Sequence, residues 1–425
     1  MKKAFSVLLV FLMIALLIGC KEKEKEEKFT PSLDKEISGE LTIAGHYDNF
    51  EALEEEFNRF LEYYPNVKLK YEKLDNYNKI IATTLLSDTA PDIYFTQSAW
   101  LNSDSYNAVF EKAEDLSDAS LKINLSCIRD GLLAKDRYGK TSLVPIYTTT
   151  YGMMVNEDIF KKEGLSIPKT YEELVNVSLQ LKEKGYANPV MGYNNETTSM
   201  LYSLFFPYFC GSIANNAQTI QDLNQMKEGA GEYMRSTLNL ISDFMSKNIV
   251  NLESCNELAN DYNAVIMRFF EGDIPMMFSS VNTVSGTKKR ETQSEAFIAN
   301  PFKYSFHPVP STQSGGYFLN TISIGFSVNK DSENLDIANE FMRFLVSTSE
   351  LNAMAQNKRM VTPCKNMALD EVYSSFDEIK EDSIIYMYTL GLADTPDVQV
   401  RRAGAQVTNG TMTVDEAIAE FGNFK

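Results

Sequence analysis

Glu40-Leu41-Thr42-Ile43-Ala44-Gly45 alternates polar and apolar residues and stops at a glycine, the pattern of a half-buried strand. Phe50, Leu53, Phe57, Leu61 and Tyr64 follow at helical spacing, with acidic residues and Arg59 between them, until Pro65 ends the run. Val67, Leu69 and Tyr71 alternate again as a second strand. A helical stretch from Tyr77 to Leu86 then leads to Pro91 and an apolar strand over Asp92–Phe95. Strand, helix, strand, helix, strand predicts an α/β sheet, in which ligands sit beyond the carboxyl ends of the strands.

Outward from this core the chain becomes more helical. Thr170-Tyr171-Glu172-Glu173 has the spacing of a capping box and opens a helix expected to run to Gly185, and Thr413-Val414-Asp415-Glu416 repeats the device near the C-terminus. Between them lie long helical stretches over Glu232–Lys247 and Asp336–Val346, with no internal repeat. Roughly 385 residues follow Glu40, enough for two ordinary domains.

At the other end, Lys2 and Lys3 precede an almost unbroken apolar run over Ala4–Ile18 that stops at Gly19-Cys20. That is the layout of a secretory signal, and the run is short of the ~20 residues a membrane span needs. Leu17-Ile18-Gly19-Cys20 resembles the bacterial lipobox, which implies a signal peptide over residues 1–19 and a diacylated Cys20 anchored in the cell membrane. Lys21–Lys28 carries alternating Lys and Glu without an apolar residue, so residues 20–39 are expected to form a solvated tether.

The formal charge is −18, and loss of residues 1–19, which hold Lys2 and Lys3 but no acid, takes it to −20. So acidic a body repels nucleic acid and anionic headgroups. Cys127, Cys210, Cys255 and Cys364 are scattered without a CxxC pair, and the only histidines are His46 and His307. Neither a redox motif nor a metal site is expected, and no cofactor. Buried thiols are preferred over disulfides in a fold large enough to stand without them. There is no G-x-S-x-G elbow and no H-E-x-x-H. Gly139-Lys140-Thr141 lacks the glycine of a phosphate loop, Ala134 standing in its place.

Several segments, in this order, resemble the family 1 extracellular solute-binding proteins of bacterial ABC importers. Thr89-Ala90-Pro91-Asp92-Ile93 is similar to the stretch that opens the family's third strand. Val144-Pro145-Ile146-Tyr147 and Gly152-Met153-Met154-Val155-Asn156-Glu157 are similar to its first crossing between lobes. Gly164-Leu165 with Pro168-Lys169-Thr170-Tyr171-Glu172-Glu173 matches a helix start, Phe270-Glu271-Gly272-Asp273-Ile274-Pro275-Met276-Met277 a turn, and Asn409-Gly410-Thr411 to Ala417 the C-terminal helix. The resemblance implies an α/β, two-lobed periplasmic-binding-protein-like fold with a ligand cleft and hinge crossings near Thr148–Gly152, Asn320–Gly325 and Val361–Asn366. The first lobe would take residues 40–148 plus 325–362, and the second 149–324 plus 363–425. It implies a monomer, without enzymatic activity, that passes a sugar or small oligosaccharide to permease subunits.

By the same resemblance, cleft-facing loops supply His46, Tyr47 and Asp48 after the first strand, and Gln97 and Trp100 after Phe95. The crossing supplies Tyr147, Thr149 and Tyr151; the second lobe supplies Ser279, Ser280 and Asn282; Tyr317 and Asp397 come later. The loops hold no Arg or Lys, which counts against a strongly anionic ligand. The family's second-lobe tryptophans are missing, Asn282 standing at one such position, which counts against a maltose-like ligand. Two alternatives stay open. One is a non-sugar solute such as a polyamine, served by Asp48 and Asp397. The other is a surface glycosidase, which needs a carboxylate pair about 5 to 9 Å apart.

Overall fold

The computed structural model describes residues 29–423, apart from 49, 103, 196–198, 259–260 and 314. The expected signal peptide and Cys20 lie outside the described residues. The chain divides into a unit over residues 1–32, of which 29–32 are described, and a unit from Leu33 to Lys425 that holds everything below. Within the stretch 20–39 expected as a tether, the Leu33 amide donates to the Tyr64 hydroxyl at 3.2 Å.

Ten strands are present among the described residues: β1 Gly39–Gly45, β2 Val67–Lys73, β3 Ile93–Thr96, β4 Val144–Thr149, β5 Tyr151–Asn156, β6 Val190–Met191, β7 Met276–Ser280, β8 Tyr304–Pro308, β9 Phe318–Val328 and β10 Ile384–Tyr386. They form two sheets. One has the order β10-β9-β3-β1-β2 with β4 also on β9, and the other the order β6-β7-β5-β8. β1 runs parallel to both β2 and β3, as the alternation predicts, and β9 lies antiparallel to β3.

The first sheet is closed by helices whose apolar stripes match its face. The helix Glu51–Tyr63 buries Leu53, Phe57 and Phe60 at helical spacing. It meets the helix Leu335–Leu345 through Phe57 and Phe60 on Phe341, ring centroids 5.4 and 5.2 Å apart. Each such ring contributes roughly 1.5–3 kcal/mol by leaving water. Asp92 explains why that acid follows Pro91: one carboxylate oxygen accepts the Thr42 amide of β1 and the other the Ser332 hydroxyl.

The two capping sequences behave differently. At Thr413 the box closes in both directions. At Thr170 the hydroxyl accepts the Glu173 amide, but the Glu173 carboxylate turns back to the Lys169 amide at 2.7 Å. The helix over Tyr171 ends at Glu183, two residues before Gly185.

Links between the sheets are short. Thr150 alone separates β4 in the first sheet from β5 in the second. The expected second crossing at Asn320–Gly325 lies inside β9, already part of the first sheet through its pairing with β10, so the chain passes between sheets at 309–317 instead. The Thr148 amide donates to the Val361 carbonyl at 2.8 Å, which brings the third expected crossing beside the first.

Candidate functional site

Where the carboxyl ends of β1 and β3 face the second sheet, a cavity of about 470 Å³ opens. That is inside the usual ligand range of ~300–1,000 Å³. His46 and Tyr47 reach it from the end of β1, and Gln97, Ser98 and Ala99 from the end of β3. Thr149 closes it at the crossing, and Thr321, Ile322, Ser323 and Ile324 of β9 line its floor. From the other sheet come Asn282 and Ser285, just past β7, and Tyr262, first residue of the helix Tyr262–Phe269.

Gly45 lets the first wall form. A Cβ there would stand 2.6 Å from both the Tyr71 hydroxyl and the Phe95 ring, so only glycine allows those rings to pack beneath the turn. The Tyr71 hydroxyl accepts the Tyr47 amide at 2.9 Å and donates to the Tyr47 carbonyl at 3.1 Å, fixing the loop. His46 rests edge-on against Phe95 at 5.5 Å. Burial holds its imidazole below the usual value, so it is neutral at pH 7 and offers one donor and one acceptor.

Across the floor, the Ser323 hydroxyl donates to the side-chain Oδ1 of Asn282 at 2.9 Å, joining the two sides of the cavity. The Thr149 hydroxyl is buried with no hydrogen-bond partner among the described residues, and both polar atoms of the neighbouring Asn320 share that condition. Unpaired buried polar groups are uncommon and mark places where a ligand or water completes the bonding. Tyr262 is 44 % exposed, a large figure for an aromatic ring beside a cavity, and its ring lies 6.2 Å from that of Tyr193.

The residues picked from sequence divide accordingly. His46, Tyr47, Gln97, Thr149 and Asn282 line the cavity together. Asp48 stands outside it, paired with Lys73 at 2.7 Å, whose hydrogen bond and charge hold its carboxyl below the usual range. Trp100 does not face the cavity. It is 4 % exposed and stacks on Tyr106, ring centroids 4.2 Å apart, because the short 3-10 turn Ser98–Asn102 rotates it inward. Tyr147 is wholly buried in the first lobe, its hydroxyl donating to the Met354 carbonyl at 3.4 Å. Ser279 and Ser280 are buried in and at the end of β7, and Tyr317 packs its ring over Gly211, where a Cβ would stand 2.4 Å away.

Tyr151 and Asp397 are joined through Arg401 and do not line the cavity. Arg401 donates to the Tyr151 hydroxyl at 2.7 Å and to Asp397 at 3.0 Å, with its guanidinium 3.8 Å from the centre of the Phe206 ring. Sequence reasoning, confined to loops, missed Arg401 because it rides on the helix Asp394–Thr408; its i,i+4 spacing from Asp397 was the available signal. It also missed Tyr262, Ser285 and the β9 residues. Asp261, whose carboxylate caps the helix by accepting the Asn263 and Ala264 amides, marks the start at which Tyr262 projects. Among the described residues no group of three or more His, Cys, Asp or Glu could hold a metal, and no helix is long and apolar enough to cross a membrane.

A family model described as bacterial extracellular solute-binding protein matches residues 44–350. The melibiose/raffinose/stachyose-binding protein MelE of Bacillus subtilis (strain 168) is 22% identical over 405 residues, covering 91% of this chain and 87% of that protein. Of solved structures, apo RafE from Streptococcus pneumoniae superposes with a TM-score of 0.70 at 16% identity, over 93% of this chain and 99% of that one. A sugar transporter from Bacillus licheniformis, in complex with stachyose, gives 0.63 at 17% identity, over 91% and 98%. The two-lobed α/β architecture expected from the sequence is the fold these structures share.

Proposed function

This chain belongs to the bacterial extracellular solute-binding protein family, and on that premise we propose that it is the substrate-binding component of an ABC importer, capturing a neutral sugar or small oligosaccharide and delivering it to the permease. The observation that carries the reading is the cavity lining. Hydroxyls, amides and a neutral imidazole face the cavity beside the rings of Tyr47 and Tyr262, and among the described residues no Asp, Glu, Lys or Arg lines it. A sugar presents hydroxyls at its edge and weakly apolar C–H faces, which this combination suits. MelE, whose name gives melibiose, raffinose and stachyose, is a relative over most of the chain and supports the same class.

The polyamine alternative loses its footing, since Asp48 and Asp397 are engaged by Lys73 and Arg401 away from the lining. We take the first lobe to hold β1 to β4, β9 and β10 and the second to hold β5 to β8, so the boundaries implied by the resemblance shift at β9 and β10. A ligand touching both stabilises the closed form only by contacts the open form lacks. The protein acts as a monomer by binding without turnover, held to the membrane by lipid on Cys20. Calorimetric titration with melibiose, raffinose, stachyose and spermidine tests the reading. Saturable binding of at least one sugar, recovered unchanged, is expected; binding of spermidine alone, or sugar cleavage, refutes it.

A further inference from the structure

We propose, resting on the sugar-binding reading above, that the cleft has a second compartment walled by the first lobe alone, and that the ligand is a neutral oligosaccharide longer than a disaccharide, whose far end lies there. Beside the cavity between the sheets is another of about 460 Å³, also within the usual ligand range of ~300–1,000 Å³. His46 and Gln97 line both, so the two cavities meet along those side chains, and a ligand resting on them from one side projects into the other. The second cavity sits where open α/β sheets hold ligands. His46 and Gln97 follow β1 and β3, and Lys73 ends β2, three parallel strands finishing on one side.

The remaining wall is the turn from β2 into the helix Tyr77–Thr84. Asn76 holds that turn in the left-handed region, φ 55°, which asparagine tolerates better than most residues with a side chain. It stands at the cap position, yet its side chain makes no bond to the helix, and the residue is exposed, so its amide is left to a ligand. At the shared edge the Gln97 amide donates to Asn78 Oδ1 at 3.5 Å, and Lys79 is exposed beside them. Amides that donate and accept, and an ammonium that donates, are the partners sugar hydroxyls take. Charge in the compartment cancels. Lys73 is held by Asp48 at 2.7 Å and Asp75 at 3.1 Å, so with Lys79 two cations stand against two carboxylates, which suits an uncharged ligand. Tyr77 offers no ring to stack on, being 3 % exposed with its hydroxyl donated to the Phe95 carbonyl at 2.7 Å. Units there are held by hydrogen bonds at their hydroxyl edges. Every lining residue among those described comes from the first lobe. A unit bound there makes the same contacts whether the lobes are open or closed, and so adds affinity without driving closure.

The test titrates the full chain by calorimetry with melibiose, raffinose and stachyose, a di-, tri- and tetrasaccharide. It is repeated with Lys79→Ala and with Asn76→Gly, which keeps the backbone of the turn. Affinity should rise along the series. Each variant should weaken stachyose binding roughly two- to tenfold, the loss of one hydrogen bond, while melibiose binds as to the parent. Small-angle X-ray scattering should show the same contraction with saturating melibiose and with saturating stachyose. The second compartment is overturned if melibiose binds as tightly as stachyose, if the variants weaken both sugars alike or neither, or if stachyose alone contracts the molecule. Melibiose still binds in each of those cases, so the sugar-binding reading survives them. Binding of none of the three sugars sinks that reading, and the second compartment with it.

Discussion

Trp100→Ala separates packing from binding at the one tryptophan in the chain. The ring is 4 % exposed, sandwiched between Tyr106 at 4.2 Å with planes 5° apart and Tyr77 at 6.4 Å with planes 20° apart. Truncating a core aromatic of this size costs about 3–5 kcal/mol. The stacked pair accounts for ~0.5–1.5 kcal/mol of it beyond the area buried. At ~2–4 °C per kcal/mol for a domain of lobe size, the melting temperature should fall by roughly 6–20 °C. No cavity wall is lost, so the affinity for whichever sugar binds should stay within about threefold, under ~0.7 kcal/mol. Urea denaturation followed by far-ultraviolet circular dichroism gives the first quantity, and calorimetric titration of the folded variant gives the second. A tenfold loss of affinity with a melting temperature within ~2 °C of the parent would refute the packing argument.

Tyr262→Ala should show the opposite split: a loss of about 1–3 kcal/mol in sugar binding, as for aromatic platforms elsewhere, with stability nearly unchanged because the ring is 44 % exposed; a calorimetric titration showing unaltered affinity would remove Tyr262 from the site. Burial first, and then the neighbouring Glu350 carboxylate, push the Glu56 carboxyl up to about 9 against the pull of Arg59. The unfolded chain gives up that proton near pH ~4.3, so the folded form holds the extra proton in between and stability declines as pH rises toward the folded value. Glu56→Gln should flatten the decline and exceed the parent in urea midpoint at pH 8; parallel declines in both proteins would show the reasoning to be wrong. Thr170→Ala removes a cap on the Glu173 amide and should cost about 1 kcal/mol, checked by the same denaturation. Cys20→Ala should release the protein from the membrane fraction, and continued sedimentation with labelled palmitate would count against anchoring.

The architecture was readable where periodicity and burial coincide. The alternation of Leu41 and Ile43, the stripe of Leu53 and Phe57, and the Pro91-Asp92 corner each appear where expected, because each is enforced by contacts within one sheet and its covering helix. The lining of the cavity was half readable. His46, Tyr47 and Gln97 follow strand ends, and a strand end points its loop at the cleft whatever the loop contains. Tyr262 was not readable, since its position depends on where a helix far along the chain begins, and Arg401 was signalled only by its i,i+4 spacing from Asp397. Trp100 and Tyr147 were misread for a related reason: an aromatic in a loop and one in the core have the same letters. Only the turn of Ser98–Asn102 and the wall of Met354 decide between them.

Strand β9 sets an order on the making of the molecule. β3 is flanked by β1 on one side and by β9 on the other, and β4 also pairs with β9. On a growing chain, the first three strands are therefore finished long before their remaining neighbour exists. Residues 151–308, which contain all four strands of the other sheet, must be synthesised in the interval. Until Phe318–Val328 emerges, β3 keeps an unsatisfied edge, and the early segment has too little to pack against to become compact. For a chain exported unfolded, as the proposed function requires, this is a built-in delay: the strands made first await a partner made much later.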